Sequence, residues 1–187
     1  IAKYAVEMDL KQAHDQFGLN YSIVRPHNVV GIYQNIWDKY RNVIGIWIRR
    51  VLRGETIQIF GDGEQKRAFS DIRYCMKPFE KLMTTGDGEV FNLGSDKEYT
   101  LNEVAKIIQE IAWDSGKYSK IEHLEQRHEV KNAYCNHQKA KVLLDFKDKT
   151  DLQQTIREMF TWAKDQPDRE IKQMDYEIDK GMYSFWK

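Results

Sequence analysis

Residues 3–26 read KYAVEMDLKQAHDQFGLNYSIVRP, and this stretch decides the fold class. Its first part predicts a helix over residues 3–16, because apolar side chains recur along one face at helical spacing. The residues on this face are Tyr4, Ala5, Met8, Ala13 and Phe17. Gly18 predicts the end of the helix, and a β-rich run at 21–25 is closed by Pro26. A helix, a glycine stop and an apolar strand in this order are typical of an α/β sheet.

The rest of the chain alternates between helical and strand patterns, with no internal repeat. Further helices are predicted at 40–52, 71–83, 101–113, 136–144 and 151–163. Strands are predicted at 56–60, 66–70, 90–93, just before Thr100, and at 121–124, and residues 27–38 are predicted to be a loop. Thr100 and Glu103 have the spacing of a capping box. Pro78 leaves open a kink or an earlier end of the helix at 71–83.

The composition excludes several classes of protein. Lys and Arg number 29, and Asp and Glu also number 29, so the formal net charge of the 187 residues is zero. A nucleic-acid-binding protein would usually carry a basic surplus, and no window approaches the roughly 20 apolar residues that a membrane helix needs. Five Trp, eight Phe and ten Tyr are too many aromatic residues for a disordered chain. We therefore expect a globular protein without a nucleic-acid or membrane partner.

The two cysteines, Cys75 and Cys135, lie far apart in the sequence, without a CxxC motif or a paired histidine spacing. This pattern favours neither a zinc site nor a disulfide, and we expect no metal. The N-terminus lacks a basic segment followed by an apolar one, so a secretory signal is not expected. A cytoplasmic location is the prediction.

Three segments carry residue types that suit ligand binding. RPHNVVG at 25–31 follows a strand, and Asn28 offers a donor and an acceptor at the strand's carboxyl end, where open α/β sheets bind ligands. FGDGEQKRAF at 60–69 places Arg67 after a glycine-rich turn, where a guanidinium can bind a phosphate. Lys3 lies near the start of a helix. Taken singly, each has a plainer interpretation: a turn, a hairpin with solvated charges, or a solvated lysine.

Taken in order, these segments resemble a known family. The Lys3 helix is followed by RPHNVxG, a YRNV helix, IFGDGEQxRAF, FNLGS, a YTLNEVAKII helix and AYCNHQKA. This order resembles the C-terminal half of the extended short-chain dehydrogenase/reductases, and among them the NAD-dependent nucleotide-sugar epimerases of the UDP-glucose 4-epimerase type. The resemblance implies an α/β fold in which residues 1–30 or so close a Rossmann-type domain. The remainder, to residue 187, would form the smaller mixed α/β substrate-binding domain, and the N-terminal dinucleotide-binding half would lie outside this sequence.

The resemblance implies NAD as the cofactor and assigns two residues to it. Lys3 matches the Lys of the family's YxxxK pair, which holds the nicotinamide ribose and lowers the pKa of the catalytic Tyr. Lys3 is therefore the catalytic candidate, and the Tyr would be the second residue before Ile1. Two further YxxxK strings, at 176–180 and 183–187, lie in the charged and aromatic tail and are interpreted as chance. Pro26 matches a position whose backbone lies against the nicotinamide.

The resemblance also implies a UDP-sugar or related nucleotide sugar as the substrate, and a possible homodimer. The matching residues are Asn28, Asn42, Gln58, Phe60, Arg67, Arg127 and Glu129. Asn28 would contact the nucleotide sugar, and Asn42 and Arg67 would contact the diphosphate. Gln58 and Phe60 belong to the strand that packs on the uracil, with Phe60 as the stacking face. Arg127 and Glu129 resemble an Arg/acid pair near the ribose, and a solvated charge is the alternative for Arg127.

The sequence departs from the family pattern after Arg67. FxYVDD is usual there, and this chain reads FSDIRY, with Asp71 in the place of an aromatic residue and Arg73 and Tyr74 in the places of acids. Val30 and Ile32 stand where the family places Tyr and Pro. These differences leave the sugar preference open. A dehydratase or decarboxylase on the same scaffold is an alternative, as is a non-catalytic nucleotide-sugar-binding fragment or assembly module.

Overall fold

A computed structural model describes residues 1–38, 41–85 and 87–169, and these residues form an α/β fold. The helices are α1 (Ala2–Phe17), α2 (Val43–Leu52), α3 (Ile72–Leu82), α4 (Leu101–Asp114), α5 (Gln138–Leu144) and α6 (Leu152–Lys164). The strands are β1 (Ser22–Pro26), β2 (Val29–Val30), β3 (Ile57–Phe60), β4 (Lys66–Ala68), β5 (Ser70–Asp71), β6 (Glu89–Leu93), β7 (Glu98–Thr100), β8 (Ile121–Leu124) and β9 (Asn132–Ala133).

The strands form small sheets in which most pairs are parallel. β1 pairs with β6 from Ser22 opposite Glu89 to Pro26 opposite Leu93, and β2 pairs with β5. β3 pairs in parallel with β8. β4 is the middle strand of a three-stranded sheet, antiparallel to β7 and parallel to β9. Parallel pairs need long crossover connections, which the helices supply.

The larger core lies where α2, α4 and α6 pack together over β3. α4 begins at a capping box in which Thr100 accepts from the Glu103 amide and Glu103 accepts from the Thr100 amide, as predicted. Its apolar side chains at helical spacing are then buried, with Val104 and Ile108 inaccessible to solvent. Ile44, Trp47, Ile48 and Val51 of α2 meet them from the other side. This packing fixes α2 and β3, which carry the candidate site.

A second, smaller core joins the β1–β6 pair to α3 and α5. Phe91 and Leu93 of β6 are buried with Leu144, Phe146 and Cys75. Burial raises the pKa of the Cys75 thiol to about 11, and Cys75 and Cys135 are both free thiols. α1 differs from the other helices described: its apolar side chains Tyr4, Met8 and Phe17 are exposed, and none of its residues is buried.

A buried carboxylate ties α6 to the start of α3. Asp71 is 1% exposed, and it accepts hydrogen bonds from the Arg73 amide at 2.9 Å and from the Thr155 hydroxyl at 2.7 Å. Burial alone would raise the pKa of Asp71, but the hydrogen bonds from Arg73 and Thr155 outweigh it and hold the pKa below its ordinary range. Asp71, which the resemblance places where an aromatic residue is usual, is therefore the N-cap of α3 and a link to α6.

The structure corrects several predicted elements. The helix predicted at 40–52 begins at Val43, after Asn42 in a left-handed conformation with φ 68°; Lys39 and Tyr40 lie outside the described residues. The strand predicted at 66–70 is two strands, because β4 pairs with β7 and β9 while β5 pairs with β2. The predicted loop at 27–38 contains β2. α3 continues through the buried Pro78 without ending.

The tail at 170–187, with its two YxxxK strings, also lies outside the described residues. Within the described ranges, no helix has both the length and the apolar character needed to cross a bilayer.

Candidate functional site

A cleft of about 390 Å³ opens between α2 and the outer face of β3. β3 alternates buried and half-buried residues, so Ile57 and Ile59 enter the core while Gln58 and Phe60 face the cleft. Phe60 and Trp47 give the cleft an aromatic wall, and Trp47 donates its indole N–H to the Gln58 carbonyl at 2.9 Å. Gln58 and Phe60, the two residues of this strand that were predicted to bind the substrate, therefore both face the cleft.

Arg127 and Glu129 line this cleft, and Arg67, which does not line it, lies beside Glu129. The guanidinium carbon of Arg127 lies 3.5 Å from the centre of the Phe60 ring, which is cation–π geometry. Arg127 Nη2 is 2.8 Å from Glu129 Oε1, and Arg67 Nη2 is 3.6 Å from Glu129 Oε2. The structure thus brings together Phe60, Arg67, Arg127 and Glu129 from β3, β4 and the segment between β8 and β9. Two guanidinium groups around one carboxylate can bind an anion together with hydroxyl groups.

The glycine-rich turn before Arg67 has a structural role. Gly63 has φ 75°, and a Cβ atom there would lie 2.2 Å from Asn102 Oδ1, so only glycine fits. Asn102 of α4 donates to the Asp62 carbonyl and to Glu64 at 2.9 and 2.7 Å. The turn is therefore clamped to the N-terminus of α4, and this fixes the start of β4.

The two predicted asparagines do not line this cleft. Asn28 has φ 41°, and its side-chain amide donates to the Ala68 carbonyl at 3.1 Å. Its own carbonyl accepts from the Ser70 amide, so Asn28 connects the loop before β2 to β4 and β5. Asn42 is exposed and directly precedes Val43, which does line the cleft.

Neither Lys3 nor Pro26 lines this cleft. Glu7 of α1 pairs with Arg25 of β1, with Arg25 Nε 2.8 Å from Glu7 Oε1. Lys3 is one helical turn before Glu7 on the same face, so it lies on the side of α1 that meets the carboxyl end of β1, where Pro26 is exposed. Ligands of open α/β sheets bind at such strand ends.

Several lining residues were missed by the sequence reasoning. Arg49, Arg50 and Arg53 line the cleft from α2, and Arg50 Nε donates to the Thr56 carbonyl at 2.6 Å. The signal was the RRVLR run at 49–53, whose arginines share one side of the helix. Gln65, which is 9% exposed, also lines the cleft. Among the described residues, no group of three or more His, Cys, Asp or Glu side chains is placed to hold a metal ion.

Comparison with known proteins defines the class. The model of the NAD dependent epimerase/dehydratase family matches residues 1–94. Over 166 residues, the chain is 30% identical to a Methanocaldococcus jannaschii protein whose name provisionally assigns it as a UDP-glucose 4-epimerase; the match covers 88% of this chain and 52% of that protein. The chain therefore belongs to the NAD-dependent epimerase/dehydratase family.

Two further similarities extend this result. The solved structure of UDP-glucose 4-epimerase with UDP-glucose from Thermotoga maritima superposes with a TM-score of 0.79 at 31% identity, covering 87% of this chain and 52% of that one. A UDP-N-acetyl-alpha-D-glucosaminuronate decarboxylase of Bacillus cytotoxicus is 29% identical over 156 residues, covering 79% of this chain and 47% of the relative. The chain spans about half the length of the relatives it matches.

Proposed function

We propose that this chain is the nucleotide-sugar-binding half of an NAD-dependent epimerase of the UDP-glucose 4-epimerase type. Residues 1–30 or so would complete its Rossmann domain, and the remainder would form the substrate-binding domain. The observation that carries this proposal is the cleft itself, which Phe60, Arg127 and Glu129 line and beside which Arg67 pairs with Glu129. Family membership and the likeness to an epimerase structure that holds UDP-glucose support it.

Each part of a nucleoside diphosphate has a chemical partner in or beside this cleft. The aromatic wall of Phe60 and Trp47 suits a planar base. Glu129 suits the hydroxyls of a ribose, because a carboxylate accepts two hydrogen bonds. Arg67 and Arg127 suit the diphosphate, whose negative charge can replace the carboxylate that now faces both. In this arrangement Arg127 exchanges its contact with the Phe60 ring for a phosphate oxygen when the ligand binds.

Lys3 and Pro26 would hold the nicotinamide end of NAD. When bound, NAD supplies the hydride acceptor and donor for a net redox-neutral epimerisation. The exposed ammonium of Lys3 would bind the nicotinamide ribose and favour the ionised form of a neighbouring catalytic Tyr by its charge. Pro26 presents a backbone without an N–H at the strand end, so the ring can lie close to it.

The proposal is tested by titrating the purified chain with UDP in a calorimeter. We expect saturable binding that Arg67→Ala weakens roughly tenfold or more, because a charge-assisted contact to the diphosphate is lost. Arg157→Ala is the matched control: Arg157 pairs with Asp114 at 3.1 Å on the surface of α6 and should leave the affinity unchanged. A folded chain that does not bind UDP contradicts the proposal.

A decarboxylase or dehydratase is the second candidate, favoured by the decarboxylase relative. Product analysis by NMR distinguishes the reactions in the full protein that carries this chain. Epimerisation inverts one sugar carbon and keeps every atom, whereas decarboxylation of a uronic acid releases CO₂. A non-catalytic fragment would bind UDP but would convert no nucleotide sugar. The homodimer and the cytoplasmic location stay predictions.

A further inference from the structure

A cysteine, a histidine and an aspartate lie together outside the cleft. Cys135 and His137 belong to the segment between β9 and α5, and Asp96 follows β6. Cys135 Sγ lies 3.9 Å from His137 Nδ1, and His137 Nε2 lies 2.8 Å from Asp96 Oδ1. None of the three lines the cleft, and none has a role in the function proposed so far.

The hydrogen bonds of His137 determine which ring nitrogen can take a proton. Hydrogen bonds from Lys141 and His137 lower the pKa of Asp96, so its carboxylate is ionised at neutral pH and can only accept. His137 Nε2 therefore donates to Asp96, and Nδ1 is left as an acceptor that faces Cys135 Sγ. His137 is 5% exposed and its ring meets Phe146 edge-on, so the imidazole is held between the thiol and the carboxylate. A nucleophile, a base and a group that orients the base are the arrangement by which proteins activate thiols.

The Cys135 thiol needs such a base because it holds its own proton tightly. Burial raises the pKa of this thiol, and the negative charge of Asp96 raises it further. The thiolate, and not the thiol, is the nucleophile. Transfer of the proton to His137 Nδ1 would therefore convert an unreactive thiol into a reactive one.

Cys135 is also in contact with solvent. It is half-buried, and its neighbours Tyr134 and Asn136 are exposed. Its sulfur lies in space that a side chain at Gly94 would take, since a Cβ atom there would be 2.8 Å from Sγ and 3.2 Å from His27 Cβ. The thiol is therefore packed on one side against the residues that follow β1 and β6, which favours a small electrophile over a bulky one.

We propose that Cys135 is a thiol-modification site at which His137 and Asp96 activate the sulfur toward small hydroperoxides. His137 Nδ1 takes the thiol proton, and the sulfur attacks one oxygen of the peroxide. An S–O bond forms as the O–O bond breaks, and the leaving oxygen takes the proton from His137; with hydrogen peroxide it leaves as water. Cys135 is oxidised by two electrons to a sulfenic acid, and the peroxide is reduced. The inference is independent of the proposed function, because it uses no residue of the cleft.

The first test compares the folded chain with the same chain unfolded in urea and needs no variant. Both samples are treated with hydrogen peroxide at pH 7, the remaining thiols are alkylated after set times, and the peptides that carry each cysteine are quantified by mass spectrometry. Burial alone slows a thiol, so oxidation of Cys135 that is faster in the folded chain requires activation. We expect it to be roughly tenfold faster or more, as general-base catalysis allows.

Cys75 is the internal reference for this test. It is buried, and its thiol lies 4.0 Å from the Asp71 carbonyl, which cannot take its proton. We expect Cys75 to be oxidised more slowly in the folded chain than in the unfolded one. If Cys135 of the folded chain is oxidised no faster than in urea, or no faster than Cys75, the inference is overturned.

The second test removes the base and the group that orients it. His137→Gln keeps a polar side chain that cannot take the proton, and Asp96→Asn removes the charge of a side chain that is 57% exposed. We expect each variant to lower the oxidation rate of Cys135 to that of the unfolded chain or below it. Lys141→Gln is the matched control: Lys141 Nζ also pairs with Asp96, at 2.9 Å, but takes no part in the proton transfer, so it should not slow the oxidation. An unchanged rate in Asp96→Asn, or an equal loss in Lys141→Gln, overturns the activation by His137 and Asp96.

Discussion

α1 and α4 are both amphipathic helices predicted from the same apolar periodicity, yet the apolar face of α4 is buried and that of α1 is exposed. α4 buries six residues, including Val104, Ile108 and Ile111, between α2 and α6. α1 buries none, and its apolar face, with Tyr4, Met8 and Phe17, stays exposed in the part of the chain that the structure describes. Periodicity therefore shows that a helix has an apolar face, but not what covers that face.

The two ends of the fold also differ in their polar links. α1 is connected to β1 by Glu7 and Arg25, whose side chains are in contact with solvent. α6 is connected to α3 by Asp71, which is buried. A buried, hydrogen-bonded carboxylate stabilises a fold more than an exposed ion pair does. The cleft proposed to bind the nucleotide sugar lies in the region around the larger core. The predicted cofactor residues Lys3 and Pro26 lie in the region of α1 and β1, where the helix is exposed.

The largest effect is expected in α4. Ile108→Ala should lower the free energy of unfolding by about 2–5 kcal/mol, because Ile108 is inaccessible to solvent and its removal leaves a cavity in the larger core. Urea unfolding followed by circular dichroism measures the change. Lys106→Ala on the exposed face of the same helix is the control and should stay within about 0.5 kcal/mol. Equal losses in the two variants would mean that the packing of α4 does not stabilise the fold.

Replacement of the buried carboxylate Asp71 should have the next largest effect on the free energy of unfolding. Asp71→Asn removes the negative charge to which Arg73 and Thr155 donate hydrogen bonds, and we expect a loss of about 1–3 kcal/mol at neutral pH. Since the folded pKa of Asp71 is lowered, its contribution is present above about pH 4 and is lost as the pH falls through the folded pKa. The difference between wild type and variant should therefore shrink in acid.

The matched control for that link is Glu7→Gln in α1. The pKa of Glu7 is also lowered, chiefly by its hydrogen bond with Arg25, but its pair is exposed to solvent. We expect a smaller change in stability than for Asp71→Asn and a dependence on salt concentration. A larger loss for Glu7→Gln would reverse the comparison between the two regions.

Most of the secondary structure could be predicted because local signals were strong. The Thr100 and Glu103 capping box, Gly18 and the strand at 121–124 fix boundaries within a few residues. The split between β4 and β5 could not be predicted, since it depends on which distant strands pair with each half. The two-residue strand β9 gave no periodic signal at all.

Part of the candidate site could also be predicted from the sequence, but from the family resemblance rather than from local signals. Gln58, Phe60, Arg67, Arg127 and Glu129 came from the family resemblance, and the structure brings them together. Their proximity in the fold depends on the pairing of β3 with β8 and of β4 with β9, and no local sequence pattern encodes these pairings. Gln65 was not predicted because a glutamine in a polar turn is ordinary in sequence; only the fold places it in the wall of the cleft.

The smallest effect is expected in α1, and it tests the comparison most directly. Met8→Ala should change the free energy of unfolding by less than about 0.5 kcal/mol, because Met8 is 56% exposed and both residues favour helices. Met159→Ala makes the same chemical change at a fully buried position in α6 and should cost about 2–5 kcal/mol. Urea titrations of both variants at several protein concentrations measure the contrast. If Met8→Ala instead costs as much as Met159→Ala, the face of α1 is covered in solution, and a cost that grows with protein concentration would identify the cover as a second copy of the chain.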